Sequence, residues 1–287
     1  MIKSKAASIL LFSLLATQVS HADVVVKSTN GNALVYSEEK KGDHYNGAAW
    51  GKIIFLSNNN RIDLSDDSRY YISDDSPKTS PSGNYFIVNS VAGGNVTIEN
   101  GAEKYTDRAY CSIIDMRTGC IVSDLDGWVC SYSWVNSKDI LAESEAKEAD
   151  TFDYLSVRPS INKIKKSFSL INIKEAENIL RCDSPKIENI NSYHKLLKEN
   201  PITKKLITKE ILNYLSRLPS SHIVKNKEYL FSEPNSNSKL KAYLISGDEV
   251  KVISTSTNNQ WINIGYINKN GSPLIAWIEA SDLQKIK

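Results

Sequence analysis

Four cysteines constrain this chain more than any other feature: Cys111, Cys120, Cys130 and Cys182. Three of them fall within twenty residues, on segments that read as successive strands. Whether they form bridges depends on the compartment, and the N-terminus speaks to that. Met1 to Lys5 is short and basic, and Ala6 to Ala16 (AASILLFSLLA) is apolar. Ser20-His21-Ala22 is a small-x-small step just ahead of Asp23. This is the layout of a secretory leader spanning residues 1–22 and cleaved after Ala22, which places the protein in the periplasm or outside the cell. The apolar run has 11 residues, where a membrane span needs about 20. No later stretch is long and apolar enough, so no membrane span is expected. In an oxidising space an even cysteine count reads as two disulfides with three possible pairings. The turn-like stretch Asp115–Gly119 favours Cys111 with Cys120, leaving Cys130 to reach Cys182. Zinc is the alternative, but there is no C-x-x-C and no nearby His, so no metal or other cofactor is expected.

The chain of 287 residues carries 35 Lys+Arg against 33 Asp+Glu. Removing the leader takes Lys3 and Lys5 and no acid, so the formal charge falls to zero. A neutral chain lacks the positive field that displaces phosphate counterions, which argues against a nucleic-acid partner.

Three regions follow the leader. Residues 23–150 read as a β-rich, disulfide-containing domain, with strands at Asp23–Lys27, Trp50–Leu56, Tyr85–Val91, Asn95–Glu99, Tyr110–Met116, Cys120–Asp124 and Trp128–Trp134. Asp126-Gly127 has the composition of a hairpin turn. A small antiparallel sandwich or open barrel would satisfy this pattern. Residues 151–224 lose glycine and gain Lys, Glu, Leu and Ile. Asn172-Ile173-Lys174-Glu175 fits a capping box, Ser184-Pro185 the start of a second helix with Ile187, Ile190, Tyr193 and Leu197 on its apolar face, and Asn200-Pro201 the start of a third. Lys195, Lys198, Lys204, Lys205 and Lys209 make the outer side basic. Residues 225–287 return to five short strands, the size of a small barrel. The expected fold class is mainly β with a helical segment: an N-terminal antiparallel domain, a short helical linker region and a C-terminal barrel.

Two resemblances sharpen this. Ser80–Val88 (SPSGNYFIV) and Ile113–Gly119 (IIDMRTG) resemble one blade of a TolB-like or WD propeller. The likeness does not repeat, and a propeller needs at least four blades. Tyr229–Pro234 (YLFSEP), Lys241–Val250 (KAYLISGDEV), Gln260–Ile264 (QWINI), Ala276-Trp277-Ile278 and Ser281-Asp282-Leu283 together resemble a bacterial SH3-like domain. Ala276 stands where the family commonly has Gly. The resemblance implies a binding module in the envelope, for peptidoglycan or for a peptide or protein partner. Alternation along Trp261–Tyr266 sets Trp261, Asn263 and Gly265 opposite Ile262, Ile264 and Tyr266, with one set expected near solvent. Tyr229, Tyr243 and Trp261 are the expected ligand-binding aromatics of a groove.

Catalytic patterns are sparse. Cys111 sits in Tyr110-Cys111-Ser112, without the Asp and Gly of an NlpC/P60 peptidase. His44, His194 and His222 are scattered, and His194 reads as a surface or capping residue. Glu143, Glu145 and Glu148 read as exposed. The echo of Asp66-Asp67 in Asp74-Asp75, and Asp124-Leu125-Asp126-Gly127, read as turn caps rather than calcium ligands. No catalytic residues are assigned. The expected function is non-catalytic binding in the bacterial envelope. The alternatives are a periplasmic immunity or inhibitor protein that neutralises a wall- or lipid-attacking toxin, and a wall hydrolase with an unrecognised site.

Overall fold

The computed structural model describes residues 23–40, 48–58, 60–73, 78–99, 101–135, 138–143 and 150–286. The leader, His44, Asp74-Asp75, Glu145 and Glu148 lie outside these residues. The protein is mainly β, with its helices in the middle of the chain.

The first sheet contains β1 (Val24–Lys27), β2 (Ala33–Lys40), β3 (Ala49–Ser57), β4 (Asn60–Asp63), β5 (Tyr70–Ile72), β6 (Tyr85–Thr97), β7 (Glu103–Asp115) and β8 (Cys120–Asp126). It runs β1-β2-β3-β5-β6-β7-β8, with β4 attached to β3 and every pairing antiparallel. Period-2 alternation divides β6 between two cores. Phe86 and Val88 join Leu34, Tyr36, Phe55 and Ile114 on one face. Tyr85 and Ile87 join Cys111, Ile113 and Val122 on the other. A strand buried on both sides reads as a continuous apolar run, which YFIV is. The second face is covered by a small sheet of β9 (Ser133–Val135), β10 (Ile140–Ala142) and β11 (Thr151–Phe152).

Several local expectations are corrected. Tyr85–Val91 and the expected strand Asn95–Glu99 are not two strands: one strand, β6, runs through both and ends at Thr97. Gly93 is no turn: a Cβ there would lie 2.0 Å from the Tyr105 hydroxyl, so it makes room for that ring. The pairing of β5 stops at Val91 and that of β8 at Tyr110, while β6 and β7 pair on to Thr97↔Glu103. Among the described residues, their outer halves therefore pair only with each other, as a two-stranded ribbon. Asp126-Gly127 does not close a hairpin, and Trp128–Trp134 is not one strand. The chain turns through a 3-10 helix, Gly127–Ser131, because Cys130 must reach Cys111.

The disulfides are Cys111–Cys130 and Cys120–Cys182, with Cα separations of 5.4 and 4.9 Å. The expected Cys111–Cys120 pair is thereby corrected. Strand register explains it: Cys120 lies opposite Asp115, and Cys111 opposite Leu125. Four residues of strand separate Cys111 from Asp115, roughly 13 Å at about 3.3 Å per residue, far beyond disulfide reach.

The helices are α1 (Ile173–Cys182), α2 (Ile190–Glu199) and α3 (Lys204–Ser216). The capping box holds at its first half, with the Asn172 side chain accepting from the Glu175 amide at 2.9 Å. The second helix starts later than Ser184-Pro185. The Asn189 side chain accepts from the Lys186 amide and donates to the Asp183 and Ser184 carbonyls, organising residues 183–189 as a turn and leaving Ile187 exposed. The third begins after Asn200, which is fully buried. Asn200 donates to the carbonyls of Phe168 and Ile171 and accepts from the Thr203 amide.

The last sheet has seven strands: β12 (Ser220–Val224), β13 (Glu228–Phe231), β14 (Lys239–Leu244), β15 (Glu249–Thr255), β16 (Trp261–Ile267), β17 (Pro273–Glu279) and β18 (Leu283–Lys285). The five expected strands are all present, flanked by β12 and β18. The order is β14-β13-β17-β16-β15-β12-β18, and one core collects residues from all seven strands, among them Val224, Leu230, Leu244, Val250, Ile264, Ile278 and Leu283. That core requires the sheet to curl into a half-barrel.

The helical segment packs on the outside of this half-barrel. Ile207, Ile211 and Leu215 share a core with Ile253 and Ile275. Neither face of β16 therefore meets solvent across Trp261–Gly265, which corrects the expectation that one set would be exposed. The Asn263 amide donates to Asn191 at 3.2 Å, and a Cβ on Gly265 would sit 2.2 Å from Leu215 Cδ2. The missing side chain at Gly265 is what admits Leu215.

Candidate functional site

The three aromatics expected in a barrel groove separate. Tyr229 and Tyr243 are cross-strand partners on β13 and β14, 39% and 49% exposed, with ring centroids 6.2 Å apart in an edge-to-face contact. Lys239 Nζ stands 3.6 Å from the Tyr229 ring centroid, and Lys227 Nζ stands 4.3 Å from that of Tyr243. The result is an outward-facing aromatic pair bracketed by two cations, a geometry in which each ring face already attracts positive charge. Trp261 is elsewhere. It is 7% exposed and packs edge-on against Phe231 at 4.8 Å.

A cleft of about 870 Å³ lies between the first sheet and α1. Its floor is apolar, built by Ile53, Val88, Ile114 and Ile121 from the sheet. The loop after β4 and α1 residues, among them Lys174, Glu177, Asn178 and Arg181, form its walls. Loop geometry is set by Asx turns: Asp63 Oδ1 accepts from the Ser65 amide, and Asp66 Oδ1 from the Ser68 amide, each at 2.9 Å. This is the turn-capping role expected for Asp66. The Tyr71 hydroxyl accepts from the Asp66 amide at 2.6 Å, and burial pushes its phenol up to about 12.

The polar walls are mostly paired. Arg69 donates to Asp124 Oδ1 at 2.8 Å and stacks on Tyr110, 3.7 Å from the ring centroid. Lys174 reaches Asp67 at 2.9 Å. Arg181 has no carboxylate within 4.0 Å among the described residues; its Nε donates to the Gly119 carbonyl at 3.0 Å, and burial pulls its guanidinium down. Asp124 and Asp126, expected as turn caps, instead pair with Arg69 and Arg108.

The end of α1 is anchored to the β7–β8 turn through a buried carboxylate. Asp115, 1% exposed, accepts from Arg117 at 2.8 Å and from Arg158 at 2.9 Å. Burial alone would raise its carboxyl, but the hydrogen bonds from the two arginines outweigh that and hold it below the usual carboxylate range. Arg158 Nε also donates to the Cys182 carbonyl, so one guanidinium joins sheet and helix.

His194 is not the expected surface residue. It is 6% exposed on α2, and burial, aided by Lys198, lowers its imidazole to about 4. Cys111 is held in a disulfide and offers no thiolate. Among the described residues no three His, Cys, Asp or Glu side chains gather as a metal ion would require. No described helix is long and apolar enough to cross a membrane.

No family model, curated protein or solved structure matches the chain. The site must therefore be read from its own geometry. Of the three aromatics expected in a groove, Tyr229 and Tyr243 are exposed and Trp261 is buried, and the cleft was not expected from the sequence. Asp66 and Lys174 were visible as a turn cap and a helix start, yet the surface that α1 docks on carries no local sequence signal.

Proposed function

We propose that this is an exported, non-catalytic binding protein of the bacterial envelope, whose SH3-like C-terminal barrel takes up peptidoglycan stem peptide through Tyr229 and Tyr243. The exposed aromatic pair carries this reading. Two rigid rings side by side offer apolar area with polar edges, and Lys227 and Lys239 beside them suit the carboxylates of a wall peptide. The two disulfides are compatible with export. The test is co-sedimentation of the disulfide-bonded chain with purified sacculi. Replacing both tyrosines by alanine should weaken pelleting by roughly tenfold, the scale of losing an aromatic anchor. Equal pelleting of the wild type and the double variant would refute the assignment.

The two-stranded ribbon of β6 and β7 favours a second reading, an inhibitor or immunity protein that holds a toxin. Among the described residues its strands pair only with each other beyond Val91 and Tyr110, a geometry suited to strand addition by another chain. Deleting residues 93–107 would then abolish binding to a co-encoded toxin while leaving sacculus pelleting intact.

A further inference from the structure

The cleft between the first sheet and α1 is independent of the aromatic pair, and its charge is lopsided. Six carboxylates line it against three cations. Four of the carboxylates are already engaged, Asp66 and Asp124 with Arg69, Asp67 with Lys174 and Glu175 with Lys166. Asp63 and Glu177 have no cation within 4.0 Å among the described residues. Both also line a second cavity of about 570 Å³, so they border both spaces. Arg181 borders both as well, but its Nε is turned to the Gly119 carbonyl.

A cleft with an apolar floor and an excess of negative charge selects a ligand with a matching split. The unpaired carboxylates attract a cation, and the accessible apolar side chains Ile173 and Ile202 in the lining reward an alkyl chain. An anion would meet net repulsion, and a purely apolar group would leave the carboxylates without a partner. The geometry points to a lysine-type side chain of a peptide or protein partner as the occupant, its alkyl stem against Ile121, Ile173 and Ile202 and its ammonium between Asp63 and Glu177.

Titration calorimetry on the disulfide-bonded chain tests this with three blocked tripeptides, acetyl-Ala-X-Ala-amide, where X is lysine, norleucine or glutamate. Norleucine keeps the alkyl stem and removes the charge. The lysine peptide should bind at low ionic strength, about tenfold more tightly than norleucine, and weaken as salt is raised. Asp63→Asn and Glu177→Gln should each weaken the lysine peptide several-fold and leave norleucine binding and the unfolding temperature unchanged. Equal binding of lysine and norleucine would overturn the proposal. So would tighter binding of the glutamate peptide lost in Arg181→Gln, or no binding of any of the three at millimolar concentration.

Discussion

Asn178 pairs with Ile121 as one strand residue pairs with another. Its Oδ1 accepts from the Ile121 amide at 2.8 Å, and its Nδ2 donates to the Ile121 carbonyl at 3.0 Å. β8 is the last strand of the first sheet, and a side chain of α1 thus occupies its open edge. The same helix is tied down by Cys120–Cys182 and by Arg181 on Gly119. The cleft exists because α1 is fastened at this edge while its first turns stand off the sheet.

Asn178→Ala would leave both backbone groups of Ile121 without a protein partner. A loss of about 2 kcal/mol is expected, seen as a lower urea midpoint with unchanged slope. An unchanged midpoint would mean that water replaces the amide at no cost.

The two bridges should differ in worth. Cys120–Cys182 spans a sequence separation of 62 and Cys111–Cys130 one of 19. Chain entropy assigns them about 4 and about 3 kcal/mol. Paired serine substitutions, compared by denaturant unfolding, should therefore show the larger loss for Cys120→Ser/Cys182→Ser.

Stability should fall as the solution is acidified. A histidine in the unfolded chain titrates near 6.5, whereas the folded His194 does so at about 4. Between those values the unfolded chain binds a proton that the folded chain refuses. Up to about 3 kcal/mol is lost as pH falls through that window and regained above it. Asp115, held low by its arginines, adds a further loss below about pH 4 as its ion pairs are protonated away. His194→Gln should flatten the first part of the curve and leave the second. A wild-type profile flat from pH 7 to pH 4 would contradict the burial of a neutral imidazole.

Gly265→Ala should cost about 1–3 kcal/mol by pressing a methyl group into Leu215. The cost should shrink when Leu215 is also replaced by alanine, because the two changes act on one contact. Strict additivity in a double-mutant cycle would place the strain elsewhere.

The fold class was legible because its signals are local. Alternation in YFIV, the capping box at Asn172 and the five strands after Tyr229 each follow from neighbours in the chain. What escaped depends on contacts across it. Trp128–Trp134 has strand composition, yet Cys130 bends it into a 3-10 helix to meet Cys111. Asn189 delays the second helix through bonds that no periodicity reveals. Trp261 looked like a groove residue because alternation gives one exposed face to a sheet with one cover, and here α2 and α3 supply a second. The candidate surfaces differ for the same reason: the exposure of Tyr229 and Tyr243 follows from local strand pattern, whereas the cleft needs the docking of a helix that sequence places only along the chain.

The bridges also have a consequence for biosynthesis. Cys111–Cys130 and Cys120–Cys182 interleave, so neither native partner of the first two cysteines is the next one to emerge. A chain oxidised from its N-terminal end as it is delivered would meet Cys120 as the first available mate for Cys111. Correct pairing in an oxidising space therefore calls for either delayed oxidation or a thiol isomerase that undoes the premature link, and the yield of correctly bridged protein should track that enzyme's supply.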